Sequence, residues 1–440
     1  MSLTKCLSMV AGAAVSFGVL GVANAEAVSN TNTDEVRAIV AEMLADADTR
    51  SSFLQSGGTA GHDGKKFFLA SSGGDFSLSI GGQLQFRYLV NFGDDLGGQS
   101  NEDWEGGFQT RRTKLWFTGT VFNEFDYMVK WEFNRNGGGA GLQDAWVSTP
   151  IMEGWDMKWG QFKAPFMREE LVSSTSQLAV DRSHMNEVFN QDYSQGIELS
   201  YSQDDWNLAL MFSDGFGSDN TDYATDRGLG TVGTAGGIGG ESDYAFTGRF
   251  QYKFAGDWSQ FKDFTSASGS NWAWMLGAAL HYEGGDSEGN SFGGGDYNYL
   301  SWTADLSFEG DGWNAFVAGV GGYTDFEDIG GVSTADADFD DYGVVVQGGI
   351  MIPDTNWEIF GRYDAVFPDS DRAGDDTFNI ITAGVNYYMH GHAAKFSADF
   401  QWFIDDPADT SIASPSTGIG FLGDSDEDEF GIRLQFQLLF

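Results

Sequence analysis

The chain has 440 residues, and its 65 acidic residues outnumber its 23 basic residues to give a formal net charge of −42. Negative charge in such excess disfavours partners that are themselves densely negative, so we expect no nucleic acid partner. Cys6 is the single cysteine and lies in a segment that we predict to be removed. We therefore expect no disulfide or cysteine–metal framework in the mature chain.

Residues 1–25 have the pattern of a secretory signal peptide. Lys5 supplies a positive charge, residues 10–22 are small and apolar, and residues 23–25 form a cleavage site of the A-x-A type. The apolar stretch is too short to cross a bilayer as a helix. We therefore predict export of the chain and cleavage after Ala25.

Residues 26–70 are predicted to form a periplasmic helix and a linker. Val36, Ile39 and Met43 have helical spacing, and Thr33 or Asp34 would cap the first turn. A helix this short is marginal alone, and two interpretations remain open: a short trimeric coiled coil and a solvated linker helix. The glycine-rich stretch that follows is interpreted as the linker.

Residues 71–440 alternate apolar and polar side chains, which is typical of β-strands with two different faces. In the last run, Arg433, Gln435 and Gln437 alternate with phenylalanine, isoleucine and leucine. Runs of about ten residues suit tilted strands that cross a bilayer. We predict an all-β fold, a transmembrane antiparallel β-barrel of about 16 strands in the bacterial outer membrane. The strands are predicted to start near Phe76, Phe108, Glu124, Leu142, Trp155, Tyr193, Trp206, Asp243, Trp272, Tyr297, Trp313, Phe339, Trp357, Phe378, Ala393 and Asp428.

Charge is distributed differently over the loops and the strands. The long connections hold many of the acids, and this acidic rim predicts weak surface binding of Ca²⁺ but no cofactor. The rim comprises Asp219, Asp222, Asp226, Asp325, Glu327, Asp328, Asp336, Asp338, Asp340, Asp341, Asp369, Asp371, Asp375, Asp376, Asp424, Asp426, Glu427, Asp428 and Glu429. Basic residues interleave with lipid-facing residues and are predicted to point into a water-filled lumen. They include Arg87, Arg112, Lys114, Lys130, Lys158, Arg249, Lys253, Arg362, Lys395 and Arg433.

The connection between residues 163 and 193 differs from the other loops because its charged residues are interleaved with Leu171, Leu178 and Val180. This mixed character favours a loop that folds into the barrel and narrows the channel. A barrel of about 16 strands is wide enough to need such a loop for selectivity. An ordinary external loop with a helical turn is the alternative.

Four segments carry a resemblance to a known family. They are GFQTRRTKLWFTG at 107–119, FDY at 125–127, GQFKAPF at 160–166 and DRS at 181–183. The chain resembles the phosphate-selective porin O and P family, most sharply in its first half. The resemblance implies a trimeric outer-membrane porin, in which arginines and lysines at the constriction can select phosphate or polyphosphate.

The resemblance also assigns residues. Arg111 and Arg112 stand where the family has an arginine pair on its second strand, and Lys163 and Arg182 stand in the constriction-loop segment. Strand alternation predicts that only one of Arg111 and Arg112 faces the lumen squarely.

We predict a diffusion porin that passes small hydrophilic solutes, among them anions such as phosphate, and that is not an enzyme. Its partners are expected to be outer-membrane lipid, small anionic or polar solutes, and two further copies in a homotrimer. A general or cation-preferring porin, a carbohydrate porin and an outer-membrane lipase are the alternatives. The predicted constriction and anion-binding residues are Arg87, Arg111, Arg112, Lys114, Lys130, Lys163, Arg168 and Arg182, and the predicted opposing acids are Glu169, Glu170 and Asp181.

Overall fold

The structure is a computed structural model. It describes residues 58–62, 66–93, 103–223, 241–286, 296–326, 337–372, 374–404, 410, 412, 418–422 and 428–440. The predicted signal peptide and N-terminal helix lie outside the described residues. So do seven acids of the predicted rim: Asp226, Glu327, Asp328, Asp336, Asp424, Asp426 and Glu427.

The described chain is dominated by antiparallel strands. Their bounds are β1 Gly58–His62, β2 Phe67–Ser71, β3 Ser77–Phe92, β4 Trp104–Val121, β5 Phe125–Phe133, β6 Ala140–Met152, β7 Trp155–Lys163, β8 Tyr193–Ser202, β9 Trp206–Ser213, β10 Glu241–Ala255, β11 Ala273–Asp286, β12 Asp296–Gly310, β13 Trp313–Phe326, β14 Ala337–Met351, β15 Trp357–Phe367, β16 Phe378–Tyr388, β17 Ala394–Ile404 and β18 Glu429–Leu439.

The sixteen strands β3 to β18 form a closed barrel, because each pairs with its sequence neighbour and β18 pairs with β3. The closing register runs from Phe430 opposite Phe92 to Leu439 opposite Gln83. Beyond it, the backbones of Gly82 and Phe440 exchange two hydrogen bonds of 2.7 and 3.1 Å. Closure satisfies the backbone groups that an open edge would expose to lipid. The predicted fold and strand set are confirmed.

The predicted alternation is visible in the exposure of β18. Leu434 is 41% exposed and Phe436 is 44% exposed, whereas the intervening Arg433, Gln435 and Gln437 are at most 2% exposed. The apolar face therefore points outward to lipid and the polar face points into the barrel.

Residues 58–71 differ from the prediction of a linker up to residue 70. They contain the hairpin β1–β2, and β2 pairs with β3 from Phe67 opposite Ile80 to Ala70 opposite Ser77. Phe67 and Leu69 continue the apolar alternation, which is why this stretch adds strands instead of a flexible connection.

The connection between β7 and β8, residues 164–192, is called the inner loop here. It contains two short helices, α1 Arg168–Leu171 and α2 His184–Phe189, and most of its residues are buried. Its apolar side chains, such as Phe166 and Phe189, pack in one cluster with Val320, Val345 and Phe360 of β13, β14 and β15. A polar inner face was predicted for every strand. The inner faces of these three strands are partly apolar because the inner loop covers them.

Two further segments also fold inward. The connection of residues 256–272, between β10 and β11, places Phe264 against Phe316 and donates a backbone hydrogen bond from Phe264 to Ser176. Ile419 and Phe421 lie in the same cluster as the inner loop, although the sequence predicted an external loop there. Within the described part of the chain, no helix combines the length and apolar character needed to cross a membrane.

Candidate functional site in the barrel lumen

The inner loop is fastened to the barrel wall by side chains that donate to its backbone. Lys395 of β17 donates to the carbonyl of Gln177 at 2.9 Å, and Asn386 of β16 donates to that of Leu178 at 2.8 Å. Arg362 of β15 donates to the carbonyl of Asp181 at 2.8 Å. These bonds place the loop inside the barrel, as the sequence predicted, and leave the lumen between the loop and the opposite strands.

Three arginines converge on one carboxylate, and we call this group the arginine cluster. Asp181 accepts hydrogen bonds from Arg87 Nη2 at 2.7 Å, Arg111 Nε at 2.9 Å and Arg112 Nη2 at 2.9 Å. Burial alone would raise the pKa of Asp181, but the positive charges of Arg111, Arg112 and Arg87 outweigh it and hold that pKa well below its usual range. Three positive charges against one negative charge leave the cluster with a surplus of two positive charges.

A β-bulge places both Arg111 and Arg112 on the inner side of β4. Gln85 of β3 lies opposite Arg112 while Phe86 lies opposite Thr110, so Arg111 is an extra residue in the ladder. The prediction that only one of the two arginines faces the lumen is therefore wrong. Arg111 is the more accessible of the two, with 12% of its side chain exposed against 5% for Arg112.

The inner face of β4 to β8, here called the lumen wall, carries three ion pairs between direct cross-strand neighbours. Each pair joins a lysine to an acid on the next strand, and the lysine side chains are 8–25% exposed. The pairs are Lys114–Glu132 at 2.9 Å, Lys130–Asp144, and Lys158–Glu198 at 2.8 Å. At the end of β7, Lys163 pairs with Glu170 of the inner loop, and the Lys163 side chain is 18% exposed. We call these four the lumen ion pairs.

Ion pairs elsewhere inside the barrel are sealed by the inner loop. Their side chains are at most 2% exposed. They are Arg249–Asp305 at 2.6 Å, Arg362–Asp364 at 3.2 Å and Arg433–Asp399 at 2.6 Å. Compared with these sealed pairs, the four lumen ion pairs combine charge with exposure, so they are accessible to water inside the barrel.

Several residues predicted to bind anions instead hold the inner loop in place. Arg87 is fully buried and also donates to Gln435 and to the carbonyl of Gly418. Arg168 donates to the carbonyls of Phe261 and Asp263. Both side chains are buried and donate to fixed protein acceptors, so a passing solute does not meet them.

Arg182, also predicted to bind anions, likewise holds the inner loop in place. It donates to the carbonyls of Glu169, Glu170 and Val172 at the end of α1, and it also pairs with the Glu170 carboxylate at 3.2 Å. Backbone carbonyls at a helix end favour a cation, which explains its position.

The predicted opposing acids do not face the basic residues across a channel. Asp181 lies within the arginine cluster, and Glu170 contacts Lys163 directly. Glu169 accepts from the backbone nitrogen and the hydroxyl of Ser183 at 2.8 and 2.5 Å. Direct pairing is favoured because an unpaired charge inside the barrel would be costly.

The exposed acids of the inner loop are Glu187 and Asp192, which were not among the predicted site residues. Enclosure within the barrel and the negative charges of Asp181 and Glu170 raise the pKa of Glu187. Enclosure and the charge of Glu170 raise the pKa of Asp192. The acids of the lumen wall lie directly opposite the predicted lysines on neighbouring strands, so pairing the predicted strands would have identified them. No sequence pattern distinguishes the two loop acids.

The predicted acidic rim is only partly open. Asp338, Asp340 and Asp371 are exposed. Asp341 is instead buried and accepts two bonds from Arg372, at 2.8 and 2.6 Å, and Glu429 is buried and accepts from the backbone of Leu422. Within the described residues, no group of three or more histidine, cysteine, aspartate and glutamate side chains is arranged to hold a metal ion. Weak Ca²⁺ binding stays a prediction.

Comparisons with known proteins agree with this architecture. The family model of the phosphate-selective porins O and P matches residues 83–244. An uncharacterized protein of Aquifex aeolicus is 24% identical over 272 residues, which cover 59% of this chain and 62% of that protein. Outer membrane protein IIIA of Rhizobium leguminosarum bv. viciae is 26% identical over 193 residues, which cover 42% of this chain and 49% of that protein. The chain thus spans less than two thirds of the length of these relatives.

The fold is similar to that of the outer membrane channel DcaP of Acinetobacter baumannii, with a TM-score of 0.53 and 12% identity over 84% of this chain and 99% of that chain. The predicted resemblance to the phosphate-selective porin O and P family is confirmed over the matched residues. The chain has the β-barrel fold of an outer-membrane porin.

Proposed function

We propose that this barrel is a diffusion porin that passes small hydrophilic solutes along the lumen wall and prefers anions such as phosphate. The family match and the barrel fold support the porin. One observation supports the anion preference: the arginine cluster holds a surplus of two positive charges and exposes Arg111 to the lumen. A guanidinium donates in a planar fork that matches phosphate oxygens, so Arg111 is the residue proposed to meet the anion.

The reversal potential of the purified protein in a planar bilayer under a KCl gradient tests this proposal. We expect the wild-type pore to prefer chloride, and added phosphate to reduce the chloride current. Arg111→Gln is expected to move the reversal potential toward potassium and to weaken the phosphate block. The matched control is Lys262→Gln, which removes one positive charge from an exposed residue of the connection between β10 and β11.

A cation-preferring porin is the second candidate, and the exposed acids Glu187 and Asp192 of the inner loop favour it. The same measurement decides between the two. Potassium preference in the wild type, unchanged by Arg111→Gln, would replace the anion porin by the cation porin. A carbohydrate porin would instead show a current block by neutral sugars and weak ion preference.

The location, the maturation and the assembly belong to the same proposal. We propose export by a cleaved signal peptide at residues 1–25, a periplasmic segment before the barrel, insertion in the outer membrane and a homotrimer without enzymatic activity. N-terminal sequencing of the mature protein tests cleavage of the signal peptide, and cell fractionation tests insertion in the outer membrane. Chemical cross-linking of the purified protein tests the trimer, and a monomer as the largest product would contradict it.

A further inference from the structure

The lumen ion pairs are placed in sequence along the wall. Lys114 and Glu132 join β4 to β5, and Lys130 and Asp144 join β5 to β6 at directly opposed positions. Lys158 and Glu198 repeat the arrangement between β7 and β8. A solute that follows the wall therefore meets positive and negative charge side by side several times in succession.

A second bulge strengthens this pattern on β6. Lys130 lies opposite Asp144 while Trp131 lies opposite Leu142, so Gln143 is the extra residue. Gln143 and Asp144 thereby share the inner side, and the Gln143 amide donates to Glu132 at 2.5 Å. Gln143, the chain neighbour of Asp144, therefore fixes the position of the Glu132 carboxylate in the adjacent Lys114–Glu132 pair.

A simple anion gains little from such a pair. Each lysine already has a carboxylate partner, and an anion that takes the lysine leaves that carboxylate unpaired and repulsive. A neutral sugar lacks the charge to compete. A molecule with an ammonium and a carboxylate can exchange with the pair, because its carboxylate takes the lysine while its ammonium takes the acid.

The facing surfaces complement both ends of such a molecule. The arginine cluster, with its surplus positive charge, accepts a carboxylate at Arg111. Glu187 and Asp192 of the inner loop are exposed and accept an ammonium. Contacts that are repeated and individually weak let a solute enter and leave, which is the requirement for passage through a channel.

We propose that the lumen favours small zwitterions, such as α-amino acids and short peptides, over neutral solutes of the same size. This inference rests on the proposed porin function and names a solute class for it. The lumen ion pairs are the selecting groups, and they act by exchanging partners with the solute.

Swelling of liposomes that contain the purified protein tests this inference. Glutamine and arabinose have nearly equal mass, and the first is a zwitterion while the second is neutral. We expect glutamine to enter faster than arabinose through the wild-type pore. Equal rates, or faster arabinose, would overturn the inference without touching the porin, whereas failure of both solutes to enter would contradict the porin itself.

Paired substitutions identify the selecting groups without changing net charge. The two variants are Lys130→Met with Asp144→Asn, and Lys158→Met with Glu198→Gln. Each is expected to lower the ratio of the glutamine rate to the arabinose rate by about twofold, the effect of one exposed ion pair. Lys253→Met with Asp205→Asn is the matched control, because that pair lies at the turn end of β10, away from the lumen wall. Arabinose entry verifies that each variant is folded and open, and an unchanged ratio in both variants would refute the inference.

Discussion

Asp181 is the residue on which the arginine cluster depends, since Arg87, Arg111 and Arg112 all donate to its carboxylate. Asp181→Asn is expected to raise the surplus of the cluster from two positive charges to three and to shift the reversal potential toward chloride. It should also destabilise the fold by about 3–5 kcal/mol, the cost of leaving buried charges without their partner. Reversal potential and the temperature of the heat-induced change in gel mobility measure the two effects.

Asp192→Asn is the matched control for Asp181→Asn. It removes one negative charge from the same loop, but Asp192 is exposed and lies outside the arginine cluster. A selectivity shift without loss of stability is expected. If both variants were equally stable, the cluster would have no part in holding the inner loop.

We expect two acids of the inner loop to make the ion selectivity of the pore depend on pH. The pKa values of Glu187 and Asp192 are raised, so these side chains lose their negative charge at a higher pH than ordinary carboxyls. The pKa of Asp181 is depressed, so the cluster keeps its carboxylate charge in the same range. Chloride preference should therefore increase as the pH falls from about 8 to about 5.

The reversal potential as a function of pH measures this effect. The double variant Glu187→Gln with Asp192→Asn is expected to remove most of the pH dependence and to hold the pore near the low-pH selectivity of the wild type. Asp338→Asn with Asp340→Asn removes as many exposed acids from the rim and should leave the profile intact. Equal profiles for all three proteins would contradict the assignment.

Residue roles were only partly predictable from the sequence. The alternation correctly placed Arg87, Lys114 and Lys130 on the inner face, because it fixes which face a strand residue occupies. It did not reveal that Arg87 is fully buried under the inner loop while Lys130 remains accessible. That difference arises from packing between segments far apart in the chain, which no local pattern records.

At the scale of elements, the inner loop is a folded unit in which Arg182, just before α2, holds the C-terminal end of α1. This guanidinium donates to three backbone carbonyls of the loop. Arg182→Met is expected to remove a charged donor from each of these carbonyls and a partner of the Glu170 carboxylate, and so to destabilise the loop locally by about 3 kcal/mol. Single-channel recordings should show larger conductance and more frequent fluctuations, because a loosened loop no longer keeps one width of the lumen.

Lys262→Met is the control, since Lys262 is exposed on a connection outside the loop. Limited proteolysis offers a second measurement, in which Arg182→Met exposes new cleavage sites within residues 164–192. Quiet single-channel currents and unchanged proteolysis in Arg182→Met would show that the strand contacts alone hold the loop.

The barrel strands β3 to β18 were predictable to within a few residues, whereas the hairpin β1–β2 and the segments between the barrel strands were not. Strand starts follow from a period of two that repeats over each run. The bulges at Arg111 and Gln143 insert one residue into this period and were missed for that reason. The inward course of residues 256–272 was missed because it depends on contacts with the inner loop, such as the backbone hydrogen bond from Phe264 to Ser176.

At the scale of the whole molecule, the acids of the rim and the arginine cluster occupy different places, and dissolved salt screens their charges to different extents. Rim acids such as Asp338 and Asp340 are exposed, and the field of an exposed charge decays over about 10 Å at 0.1 M salt and about 3 Å at 1 M. The arginine cluster lies inside the barrel, where a passing ion comes close to it and screening is weaker. We therefore expect the net charge of −42 to influence ions at the entrance more than it influences the ion preference of the lumen.

The salt dependence of the pore separates these two contributions. Replacing Asp338, Asp340 and Asp371 by Asn is expected to change the single-channel conductance at about 0.05 M KCl and to have little effect at about 1 M, because the rim field is then screened. Arg111→Gln should shift the reversal potential at both concentrations, since the lumen brings the ion within a few ångströms of the guanidinium. A rim effect that persists at about 1 M salt would place the rim acids in the selective path, and the lumen would then no longer be the site that decides which ions pass.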